Sequence, residues 1–129
     1  VNLLTFTFPG EPIPKGRPRK DRGHWHTPAR TEKAENSIRW QLKAAHVTPT
    51  SEPVAVELHY RCKSHTADLD NLIKLTLDAA TGYLWEDDRQ VWQIIAEVER
   101  GSSNPQTVIS VTPGSSSHYR ERVITGEAA

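Results

Sequence analysis

The chain has 129 residues, a quarter of them charged and 36% hydrophobic, with a formal net charge of zero. That length supports one domain with a core of its own. A single cysteine, Cys62, leaves no intrachain disulfide framework, and no apolar run reaches membrane-spanning length, so a cytoplasmic protein of a reducing compartment is expected, with no membrane partner.

In chain order, residues 3–8 (LLTFTF) alternate, with Leu4, Phe6 and Phe8 on one face, and predict a first strand. The segment PKGRPRKDRGHWHTPAR follows with no hydrophobic period, and reads as an extended or mobile basic loop. Its Trp25, between His24 and His26, has two readings: an anchor into the core, which is the favoured one, or a platform for a base. A helix begins at Thr27 or Thr31 and carries the stripe Ala34, Ile38, Leu42 and Ala45. A polar connector leads to a second strand, in which Val54, Val56, Leu58 and Tyr60 alternate with Ala55, Glu57, His59 and Arg61. The second helix buries Leu69, Leu72, Ile73, Leu77 and Ala80 and stops at Gly82. A third strand, QVWQIIAEVE, and a fourth, QTVISVT, flank GSSNP and read as a hairpin.

The order β-α-β-α-β-β predicts an α/β fold, a single domain over residues 1–113 built on a small mixed four-stranded sheet with two helices. Residues 114–129 are expected to be a poorly structured tail.

The zero net charge hides a segregation. Residues 15–43 hold nine Lys or Arg against three acids, whereas residues 68–99 hold eight acids against two cations. A basic limb beside an acidic pocket suits an enzyme that attracts a polyanion in one place and a cation in another.

The acidic centre lies in ADLDNLIKLTLDAATGYLWEDDRQV, residues 67–91. Residues two apart on a helix point about 200° away from each other, so Asp68 and Asp70 share a ligand only if the first lies outside the helix. Two ionised carboxylates about 5 Å apart repel by roughly 3 kcal/mol at an effective dielectric of 20, which calls for proton sharing or a cation. Only oxygen donors are on offer, which favours Mg²⁺, or Mn²⁺ as a substitute. Asp88, or as second choice Asp87, joins them if the third strand starts beside the end of the second. Lys74, one turn after Asp70, is placed to reach a phosphate oxygen. Each feature alone also has a plain structural reading: helix caps, an i to i+4 salt bridge, an acidic surface turn. The six histidines lack the partners of a zinc site.

Taken together, Asp68-Leu69-Asp70-Asn71-Leu72, Lys74, Asp78-Ala79, Trp85, Asp87-Asp88 and Gln90-Val91 resemble the RusA family of Holliday-junction resolvases. A weaker likeness in GEPIPKGRPR extends the resemblance to about residues 2–112. It implies a homodimeric, Mg²⁺-dependent endonuclease of a bacterial or phage-infected cell that nicks two opposed strands of a four-way DNA junction in recombination and repair. It further implies Asp68, Asp70 and Asp88 as metal-binding carboxylates and Lys74 as the catalytic lysine. Only Lys63 is basic just before Asp68, so DNA grip is expected from Lys15, Arg17, Arg19, Lys20, Arg22 and Arg30. The alternatives are a nuclease of forks or flaps in phage replication or packaging, and a catalytically degenerate junction-binding protein.

Overall fold

The computed structural model describes residues 3–114. Its elements are β1 (Leu4–Pro9), β2 (Arg19–Asp21), β3 (His24–His26), α1 (Ala29–Ala44), β4 (Val54–Cys62), α2 (Leu69–Ala80), a single 3₁₀ turn (Asp88–Gln90), β5 (Val91–Arg100) and β6 (Gln106–Pro113). The tail expected beyond residue 114 lies outside the described residues. Among these residues no helix is long and apolar enough to cross a membrane.

The mixed α/β sheet is present, in the order β1-β6-β4-β5. β4 is its centre. Val54, Val56, Leu58, Tyr60 and Cys62 point to one face and are all buried, as the strict alternation demands. That face takes the helices: the Tyr60 hydroxyl donates to the Leu72 carbonyl at 3.1 Å and bonds Thr76 Oγ1 at 2.8 Å, pinning α2 to the sheet. Burial pushes the Tyr60 phenol pKa well up and outweighs the Thr76 hydrogen bond, which lowers it, so the phenol stays neutral throughout the physiological range. The other face is polar, with His59 against Glu97 at 2.9 Å and Thr5 against Ser110 at 3.0 Å. Half-solvated sheets with polar outer faces follow from this one-sided packing.

The expected hairpin of the last two strands does not form. β5 runs parallel to β4, from Val54↔Val91 to Cys62↔Arg100, while β6 lies antiparallel on the other side of β4 and pairs with β1. The connecting loop crosses the end of β4, where the Ser102 amide donates to the Cys62 carbonyl at 2.8 Å. The physical reason is the helix between β4 and β5: a strand–helix–strand crossover returns the chain parallel to its start.

Three further expectations are corrected. The basic loop is not structureless, because Arg19–Asp21 and His24–His26 pair as a two-stranded ribbon. Its turn places Arg22 at φ 51° and Gly23 at φ 82°, the pair of positive angles that a tight two-residue hairpin loop needs. The α1 helix starts between the two expected residues, with Pro28 at its N-cap. Its buried residues are Thr31, Glu35, Ile38 and Leu42, while Ala45 is exposed. Trp25 is 69% exposed and so does not anchor the loop in the core; Trp85, fully buried, occupies the interior instead.

Candidate active site

The segment that delivers Asp68 is held from three sides. The Glu11 carboxylate accepts the Lys63 and Ser64 amides at 2.8 and 3.1 Å, and Arg100 donates to the Ala67 carbonyl at 2.9 Å. Gly101, at φ 73°, lies so close to His65 that a Cβ there would stand 2.8 Å from the ring, so no other residue fits without displacing it. These contacts bring Asp68 to the N-cap of α2 in an extended conformation (φ −79°, ψ 130°), with Asp70 in the first turn. The first carboxylate thus stands outside the helix, as the two-residue spacing required.

Neither acid is consumed by a structural duty of the helix end. The Asp68 side chain makes no capping hydrogen bond. Among the described residues Asp70 accepts only its neighbour Asn71's amide, at 3.0 Å. Lys74 is exposed one turn further on, and among the described residues it forms no ion pair with Asp70. The N-terminal end of a helix favours negative charge, which partly offsets the repulsion of the pair.

The basic segment is fastened beside them. The Lys15 amide donates to the Asn71 carbonyl at 2.8 Å and the Gly16 amide to Thr31 Oγ1 at 2.9 Å. A Cβ at Gly16 would lie 2.8 Å from Thr31 Oγ1 and 3.0 Å from Pro28; this close approach requires glycine. Between the segment and the helix end is a cleft of roughly 470 Å³ in which Arg17, Arg19 and Arg30 share the walls with Ser64, Asp68 and Asn71. Lys20 and Arg22 are exposed on the ribbon that rises from it.

Lys15 has a different place. Its ammonium sits 2.6 Å from Glu35 of α1 and 3.1 Å from Asp78 of α2, largely buried. Burial alone would lower its pKa, but the hydrogen bonds to Glu35 and Asp78 outweigh burial and raise it. It ties the two helices and the root of the basic segment together. Glu35 was missed in the sequence, although a glutamate one turn from Thr31 and one turn from Ile38 lies on the buried stripe and there needs a cation.

The second acidic group is built otherwise. Asp87 caps the 3₁₀ turn, accepting the Arg89 amide at 2.9 Å and the Arg89 guanidinium at 3.3 Å. The Arg89 side chain and then its amide hold the Asp87 carboxyl down to about 2. Gln90, which sequence reasoning left without a role, accepts the Glu86 and Asp87 amides and donates to the Thr50 and Glu52 carbonyls. It locks the turn to the connector before β4. Asp88 is exposed on this locked turn.

β5 starts beside the start of β4, not beside its end, so the condition for gathering all the acids is unmet within one chain. α2 begins beyond Cys62 and runs back for 12 residues, about 18 Å, before the chain reaches Trp85, which bridges to Thr50. Asp88 therefore stands near the far end of α2 from Asp68 and Asp70. Among the described residues no three His, Cys, Asp or Glu side chains come close enough to hold a metal ion. The donor chemistry still suits Mg²⁺, which takes one or two carboxylates and completes its shell with water and phosphate.

Residues 9–112 match the family described as endodeoxyribonuclease RusA. The chain belongs to that family. The match runs from the end of β1 to β6 and takes in both helices, the basic segment and both acidic groups. No curated protein matches the chain. Membership in the RusA family makes this a DNA-endonuclease fold, and Holliday-junction resolution is the activity the family implies. The cleft that joins Arg17, Arg19 and Arg30 to Asp68 accordingly lies on a RusA family member's nuclease domain.

Proposed function

We propose that this chain resolves four-way DNA junctions by paired nicks in opposed strands, using Mg²⁺, with Asp68, Asp70 and Asp88 as its metal-holding carboxylates. The observation that carries the reading is the cleft in which Asp68 shares walls with three arginines, on a chain whose residues 9–112 match a DNA-endonuclease family. Arginines grip phosphate by charge-assisted, often bidentate hydrogen bonds, so a DNA backbone entering the cleft is drawn to the start of α2. When bound, the cation supplies Lewis-acid polarisation of the phosphate and an activated water. Asp68 and Asp70 hold it from the helix N-terminus. Lys74 lies one turn below, where its ammonium offsets negative charge that builds on the phosphate during displacement.

Asp88 joins this site from a second protomer. Two opposed cuts call for a two-fold dimer, and the same dimer would bring Asp88 of one copy to Asp68 and Asp70 of the other. β5, which follows Asp88 directly, is an edge strand with Ile94 and Ile95 exposed at 42% and 54%. Unpaired edges carrying apolar side chains are surfaces that a partner covers. A strictly monomeric chain would instead favour the competing reading, a junction-binding protein that does not cut.

The test is a labelled four-way junction with Mg²⁺. The wild type is expected to give symmetric paired nicks and Asp70→Asn to bind without cutting; equal cutting by both would falsify the site assignment.

A further inference from the structure

The ribbon of β2 and β3 serves no evident purpose in the core. All six of its strand residues are exposed, Trp25 at 69%. A large aromatic held in water on a paired backbone presents a ring face in a fixed position to whatever enters beside it. Cross-strand register puts Lys20 opposite Trp25, and Arg19 opposite His26. Alternation then places Lys20 and Trp25 together on one face. An aromatic plane beside an ammonium is the pairing that takes one base and its phosphate.

The position of the ribbon defines which nucleotide. Both its roots open on the cleft, since Arg17, Pro18 and Arg19 on one side and Pro28 and Arg30 on the other line the same walls as Asp68. Strands of three residues reach about 10 Å, which matches about three nucleotide steps along one DNA strand. In continuous duplex every base near the cleft is paired and stacked on both sides, and Trp25 has no exposed base face to meet. At a branch point the terminal pairs have lost a stacking neighbour.

We propose that Trp25 stacks on a base at the branch point of the junction, with Lys20 on the adjoining phosphate, and that this contact lets the protein distinguish branched from continuous DNA. It is a specificity-determining contact that rests on the nuclease reading of the Asp68 cleft. The charges of the cleft serve any DNA; the indole serves only DNA with an accessible base.

The experiment uses Asp70→Asn protein, so that DNA is bound and not cut, and two probes of equal length: a continuous duplex and a four-way junction carrying 2-aminopurine at each branch-point position in turn. With Trp25 present, one position is expected to show 2-aminopurine quenching on binding. Trp25→Ala should abolish that quenching and weaken junction binding at least about tenfold, with duplex affinity unchanged. Trp25→Phe should restore most of both. A Trp25→Ala protein that binds both probes as before, or loses both equally, overturns the inference. So does wild-type ribbon that leaves every branch-point probe unquenched while junctions are still preferred. Protein that binds neither probe overturns the nuclease reading itself, and this inference with it.

Discussion

The two acidic groups of this chain look alike as letters and differ as chemistry. Asp68 and Asp70 follow an extended approach held by Glu11 and Arg100, and their carboxylates are left uncommitted at a helix N-terminus that faces three arginines. Asp87 and Asp88 follow a buried tryptophan on a turn locked by Gln90, and there one carboxylate is committed: Asp87 binds Arg89 and caps the turn. The comparison teaches that an acid's availability depends on what its neighbours already take from it. It also favours Asp88 over Asp87 as the candidate ligand, on a ground separate from the nearness of Asp88 to the strand, since the cap engages the first of the pair.

The largest effect that probes this difference is on cutting. Asp70→Asn and Asp68→Asn are each expected to lower junction cleavage by on the order of 10²–10³-fold with binding retained, whereas Asp87→Asn should cut within a few-fold of wild type. If Asp87→Asn is as inactive as Asp70→Asn, the division between committed and uncommitted acids fails. Lys74→Ala should cost on the order of 10²-fold in cleavage rate with little loss of binding; a loss confined to affinity would move Lys74 from the reaction to the DNA grip.

The basic segment divides in the same way, and its predicted effects are next in size. Lys15 is committed to Glu35 and Asp78, so Lys15→Ala should lower stability by about 3 kcal/mol, read by urea denaturation, because it strands a buried carboxylate. As its pKa is raised in the folded state, that stabilisation is complete below its ordinary value of 10.5 and is lost as pH rises beyond it. Arg17, Arg19 and Lys20 are uncommitted, and neutralising all three should reduce the salt slope of DNA binding by about 3 while leaving the denaturation midpoint nearly unchanged. The reverse pattern would place the grip at Lys15. The smallest effect belongs to Asp87: its carboxyl is held at about 2, so its contribution is present above the ordinary 3.8 and fades as pH falls through 2. Asp87→Asn should therefore lower stability slightly at neutral pH, flatten the acid limb of the stability curve between those values, and match wild type below pH 2.

Much of this was legible in the sequence. The alternation of β4 and the placement of Asp68 outside the helix follow from period and geometry alone, and the residues that resemble the RusA family fall where its match does. Of the expected α2 stripe only Leu72 and Ala80 are fully buried, with Leu75, Thr76 and Ala79 beside them, while Leu69, Ile73 and Leu77 are half-buried. What was not legible has a common cause: a strand's own pattern says which face is buried, not which strand lies beside it. GSSNP looks like a hairpin turn, yet β5 and β6 lie on opposite sides of β4. The available signal was the helix between β4 and β5, which implies a parallel crossover and so separates Asp88 from Asp68. The committed state of Lys15 was hidden for a related reason, because its partners Glu35 and Asp78 are 20 and 63 residues away and meet it only in the packed fold.

The central claim is that the uncommitted acids of α2 and Asp88 act together only across two protomers, and complementation tests it most directly. Asp70→Asn and Asp88→Asn proteins, each inactive alone, would be mixed, allowed to exchange subunits and given a four-way junction with Mg²⁺. A shared site predicts recovered cleavage, as single nicks, because each mixed dimer then contains one site with both native carboxylates and one with neither. A site confined to one chain predicts no recovery, since both sites of every dimer would carry a lesion, and that result would contradict the account.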